Sequence, residues 1–131
     1  MRMSLFAVLS VLALAGTADA RPRDTGEIRL AKLLQGRVAG QPTSCIRTLP
    51  SNDMTVIDKT AIVFGHGSVI YVNRTQDPDS IDDHNALLVR KHGDPSRLCK
   101  TDVVTSFDPN AHFYTGNVML TEFVPYRRVR R

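Results

Sequence analysis

Tryptophan is absent from this chain, and its 131 residues include only three tyrosines and five phenylalanines. So few rings exclude a stacking platform for single-stranded nucleic acid or for sugars. Charge of one sign is also scarce. Seventeen Lys and Arg stand against thirteen Asp and Glu, a net charge of +4. That surplus equals Arg127, Arg128, Arg130 and Arg131 at the C-terminal end. The rest of the chain is close to neutral and lacks the basic face of a nucleic-acid binder, so no nucleic-acid partner is expected. The motifs that announce chemistry are missing too. There is no H-E-x-x-H, no G-x-S-x-G elbow, no C-x-x-C and no cofactor fingerprint. No catalytic residue, metal ligand set or cofactor is therefore assigned.

Long apolar runs are equally lacking. Leu5 to Ala15 is apolar apart from Ser10, about half of the roughly 20 residues a membrane-spanning helix requires. Arg2 precedes this run, and Gly16-Thr17 leads into Ala18-Asp19-Ala20. A basic start, a short apolar stretch and a small-x-small box in that order form a secretory signal, with the cut expected after Ala20. No cysteine lies near the cut to carry a lipid anchor, and no membrane span is expected after it. The expected location is periplasmic or secreted. Cleavage removes one basic residue (Arg2) and one acidic residue (Asp19), so the surplus stays at +4 over the remaining 111 residues. That is a single domain's length, with a surface-to-volume ratio that leaves little margin of stability. The expected organisation is a signal at 1–20, a loose segment at 21–26, one globular domain at 27–126 and a basic tail at 127–131.

Cys45 and Cys99 are the only cysteines. In an oxidising compartment two cysteines pair most simply with each other. A reactive pair would want closer spacing and a lowered thiol pKa, and here 54 positions separate the two.

The periodicity predicts an α+β fold. Asp24 or Thr25 caps a helix of about three turns carrying Ile28, Leu30, Leu33, Leu34 and Val38, weakened at Gly36 and stopped by Gly40 and Pro42. Short β-type runs follow at Cys45–Leu49, Met54–Asp58, Ala61–Phe64, Val69–Val72, Ala86–Arg90, Leu98–Cys99, Val103–Thr105 and Asn117–Val124. Gly65-His66-Gly67-Ser68 between two of them reads as a hairpin loop. Pro125 is expected to end the last strand. The helix is expected to pack on a small antiparallel sheet or a partly open β-barrel.

Polar loops on such a scaffold are where recognition sits. The expected binding surface is the loop pair 73–85 and 91–97, with Asp77, Asp79, Asp82, Asp83 and His84 as its candidate residues. An EF-hand is excluded, because Ile81 stands where a third oxygen ligand belongs and no glycine follows. His66, His84, His92 and His112 show no ligand spacing, although His84 and His92 flank one strand. Asn73-Arg74-Thr75 matches the glycosylation pattern. The arginine tail reads as a solvated end, with weak contact to anionic envelope components as its functional alternative.

The order of several short pieces resembles a family of small uncharacterised exported proteobacterial proteins, a domain of unknown function. The pieces are Leu34-Gln35-Gly36-Arg37-Val38-Ala39-Gly40, Ser44-Cys45-Ile46, Val56-Ile57-Asp58, Tyr71-Val72-Asn73-Arg74, Ser80-Ile81-Asp82-Asp83, Leu98-Cys99 with Asp102, and Glu122-Phe123-Val124-Pro125-Tyr126. They cover roughly residues 28–128. The resemblance implies export and a cysteine pair, and transfers no reaction, ligand or catalytic residue. His92-Gly93-Asp94-Pro95-Ser96 departs from the family's usual loop of shorter side chains. The functional expectation is a non-enzymatic periplasmic module that binds a ligand or supports the envelope. A small hydrolase using His and Asp residues is the rival.

Overall fold

The computed structural model describes residues 23–48 and 53–130. The signal expected at 1–20 lies outside them, as do Leu49 and Pro50. Described first is helix α1 (Gly26–Leu34), capped by the Thr25 side chain, which accepts from the Ile28 N–H, with Glu27 in its first turn. It ends earlier than the periodicity predicts. Gly36 takes a left-handed φ of 69°, which turns the chain into strand β1 (Arg37–Ala39). Val38 therefore lies on an exposed strand and not on the helix's apolar face. Ile28 and Leu33 are also largely exposed, so Leu30 is the one fully buried residue of α1.

Nine further strands follow among the described residues: β2 (Cys45–Arg47), β3 (Met54–Ile57), β4 (Ala61–Phe64), β5 (Val69–Asn73), β6 (Ala86–Arg90), β7 (Arg97–Cys99), β8 (Val103–Asp108), β9 (Phe113–Val118) and β10 (Val124–Arg128). They form three open antiparallel sheets and not the single sheet or barrel expected: β1-β10-β5-β4-β3, β2-β7 and β6-β8-β9. The fold is α+β with β strongly dominant. The β4–β5 hairpin closes through residues 65–68 with Phe64 opposite Tyr71.

The strand expected at 117–124 is split. Asn117 and Val118 end β9, and the chain then crosses to β10. The crossing is held by the fully buried amide of Asn73. It donates to the Thr121 carbonyl (2.8 Å), and its oxygen accepts from the Thr121 N–H (3.1 Å) and the Thr75 N–H (3.0 Å). Backbone groups of Thr121 that a ladder would otherwise satisfy are thus met by one side chain. Asn73 Nδ2 is committed in the interior, so Asn73-Arg74-Thr75 is no acceptor for a glycan in the folded protein.

Pro125 does not end β10. It lies opposite Tyr71 in β5, and its carbonyl accepts from the Gly40 N–H (2.7 Å), just beyond the end of β1. The carbonyl and the amide position of one strand residue face the same neighbour. The missing N–H therefore points past the end of β1 and costs no ladder bond to β5. The strand continues through Arg127 and Arg128, opposite Val38 and Arg37. These two arginines belong to the sheet and not to a free tail.

The large sheet separates two apolar clusters. All four residues of β4 are buried, as expected for a central strand covered on both faces. Ala61 and Val63 join Leu30, Ile57, Ile70 and Val72 on one side. Ile62 and Phe64 join Ile46, Leu98, Val104, Val118 and Phe123 on the other, where Phe64 meets Phe123 edge to face at 5.6 Å. Among the described residues no helix is long and apolar enough to cross a membrane.

Candidate functional site

Cys45 and Cys99 form a disulfide and face each other across the short β2–β7 ribbon. One residue along, Ile46 lies opposite Leu98, and both are buried in the larger cluster. The ribbon is thus fixed by a covalent bond at one register position and by apolar burial at the next. Asp102 secures its end. This carboxylate is nearly buried and accepts from the Cys99 N–H (2.7 Å) and the His92 N–H (2.8 Å). Burial raises its pKa, but the Cys99 and His92 backbone bonds and the nearby imidazole outweigh burial and hold it below the ordinary range.

Where this ribbon meets the large sheet and β6, the core opens into a cleft of about 530 Å³. Ile46 and Leu98 from the ribbon, Met54, Phe64 and Tyr71 from the large sheet, and Leu87 and Val89 from β6 make it apolar. Except for Ile46, Phe64 and Leu98, these are partly buried residues packed against the larger cluster. Among the described residues the cleft is therefore an unfilled edge of the core. Its rim is polar. Arg47, Thr48 and Lys91 meet at one part, where the Lys91 ammonium donates to Thr48 Oγ1 and to the Pro95 carbonyl (2.8 Å). Asp53 and His66 meet at another part, where His66 Nδ1 lies against the exposed Asp53 carboxylate. Among the described residues no hydroxyl or thiol donates to His66, and Ser68 sits exposed in the same loop with its carbonyl accepting from Arg37 and Arg128.

The residues expected to bind lie elsewhere and divide. Asp82, Asp83 and His84 come together, with one ligand atom from each inside 4.8 Å. His84 Nδ1 is 3.0 Å from Asp82 and 3.1 Å from Asp83, and Asp83 also accepts from Arg29 at 2.8 Å. The His84 backbone N–H, then its imidazole, holds the Asp82 carboxyl below the ordinary range. All three are exposed. Asp77 and Asp79 lie at a 3-10 turn (Pro78–Ser80) and do not join them. Of the loop 91–97, only Lys91 reaches the cleft. His84 and His92 stay at opposite ends of β6, and His112 sits exposed beyond β8.

Sequence reasoning missed the cleft because its walls come from six strands of three sheets. The one available signal was Leu87 and Val89 alternating with Leu88 in an all-apolar run, which hides the face that is covered. The chain matches no protein-family model, no curated protein and no solved structure.

Proposed function

We propose that this protein is an exported, non-enzymatic binding module of the periplasm, kept folded by its disulfide, and that the cleft between its three sheets is where it binds. The observation that carries this reading is the cleft itself, an apolar hollow of ligand size with a few polar groups at its edge. The disulfide suits an oxidising compartment, and the N-terminal signal pattern and the resemblance to exported proteobacterial proteins point the same way. Arg127, Arg128 and Arg130 are exposed, and they give the module a weak affinity for anionic envelope surfaces.

Tyr71 lines the cleft, and the absence of tryptophan leaves tyrosine fluorescence as a direct reporter. Titrating the oxidised protein with a medium-chain alkyl alcohol should give saturable, one-to-one quenching. Filling the hollow by Val89→Phe should abolish that response while circular dichroism stays unchanged. A wild-type protein that shows no saturation removes the proposal.

The His66–Asp53 pair favours a second reading, hydrolysis, since an imidazole beside a carboxylate is general-base geometry. No nucleophile within reach of His66 speaks for it among the described residues. Replacing His66, His84 and His112 together by Ala decides the matter: an ester hydrolase loses turnover, and a binding module keeps its ligand.

A further inference from the structure

We propose, resting on the cleft as the binding site, that its ligand is a single-chain amphiphile with an anionic head, the chain lying in the hollow and a carboxylate or phosphate meeting Arg47 and Lys91. The floor offers a chain only apolar partners. It therefore selects an apolar body and leaves a charged head at the rim, where no full desolvation is required.

The rim is not neutral. Its one lining carboxylate, Asp53, is occupied by His66. At the other part, Lys91 has only neutral partners among the described residues, Thr48 Oγ1 and the Pro95 carbonyl, so one of its three N–H donors remains for a ligand. Arg47 makes no ion pair among the described residues and lies directly opposite Arg97 in the ribbon. Like charges facing across two strands oppose each other. The charges of both arginines act on the Asp94 carboxylate, which already accepts from the Ser96 N–H (2.8 Å) and hydroxyl (2.7 Å). Arg47 and Lys91 line this end of the hollow, Arg97 lies opposite Arg47, and among the described residues neither rim cation pairs with a carboxylate, which leaves a positive pole there. An anionic head relieves the Arg47–Arg97 opposition and gains charge-assisted hydrogen bonds, whereas a neutral or cationic head does not.

The test compares decanol, decanoate and decyltrimethylammonium by tyrosine fluorescence of the full oxidised protein. Wild type should bind decanoate about tenfold more tightly than decanol at low salt, with the advantage shrinking as salt rises. The trimethylammonium compound should bind weakest. In the double variant Arg47→Gln, Lys91→Gln, decanoate should lose its advantage over decanol. Lengthening the alcohol should tighten binding about fourfold per methylene. If decanol saturates the cleft but decanoate binds no more tightly, or keeps its advantage in the double variant, the anionic head is refuted and the binding site survives. If neither binds, or light scattering shows the cleft closed by a second copy, the site falls as well.

Discussion

Replacing Gly26 by Ala should destabilise the protein, against the sense that helix propensity predicts. Gly26 is the first residue of α1, where Ala is favoured over Gly by up to about 1 kcal/mol. The surroundings reverse that sign. A Cβ at Gly26 would stand 1.9 Å from Thr60 Oγ1 and 2.5 Å from the Asp58 carbonyl. Thr60 cannot swing away freely, because it is buried and its hydroxyl donates to that same carbonyl at 2.9 Å. The helix must back off instead. Doing so lifts Leu30, only 1% exposed, out of its seat among Ile57, Val63, Ile70 and Val72. Complete loss of such a contact costs about 2–5 kcal/mol and overpacking typically about 1–3 kcal/mol, so a net loss of roughly 1–3 kcal/mol is expected. Urea unfolding followed by circular dichroism measures it from the shift in midpoint at constant slope. Adding Thr60→Gly should recover only part of the loss, because the Asp58 carbonyl remains. A Gly26→Ala protein as stable as wild type, or more so, would show that α1 does not sit against the β3–β4 turn as described.

Replacing both Cys45 and Cys99 by Ser should remove about 4 kcal/mol, the chain-entropy value for a loop spanning 54 positions, and equal urea midpoints for oxidised wild type and the variant would refute this. The Asp102 carboxyl is held below its ordinary range in the fold, so its contribution is complete above the unfolded pKa near ~4 and is lost as pH falls through the folded value. Asp102→Asn should cost about 1–3 kcal/mol at neutral pH and flatten the acid limb of the stability curve, and an unchanged acid limb would show that the two backbone bonds do not set that dependence.

What the sequence made legible was local. The Thr25 cap, the β4–β5 hairpin and the cysteine pair each follow from residues whose chemistry acts at short range or whose number leaves one simple partner. The misreadings share a cause of the opposite kind. Val38 continued a helical stripe, but Gly36 at positive φ and the pairing of β1 with β10 placed it on a strand. Asn117 to Val124 looked continuous because nothing local marks where Asn73 intercepts Thr121, 48 residues away. Pro125 looked terminal because its tolerance depends on β1 stopping one residue short of it. The acidic loop drew attention as a cluster in sequence, and only its last two carboxylates, with His84, cluster in space.

The cleft was illegible for the same reason, yet the features that build it were noticed singly. The disulfide closes a loop that contains β3, β4, β5 and β6, and these strands with the ribbon supply the hollow's walls. The ribbon has three residues per strand and buries only Ile46 and Leu98, too little apolar surface to hold a wall against solvent by itself. The covalent bond supplies what burial does not. Asp102 then carries the constraint outward, since the same carboxylate that holds the Cys99 N–H also holds the His92 N–H, next to Lys91 at the rim. A bond that stabilises a small domain and a bond that positions the edge of the cleft are here one structure. The position of the cysteines in this chain therefore bears on the shape of the cleft as much as on folding.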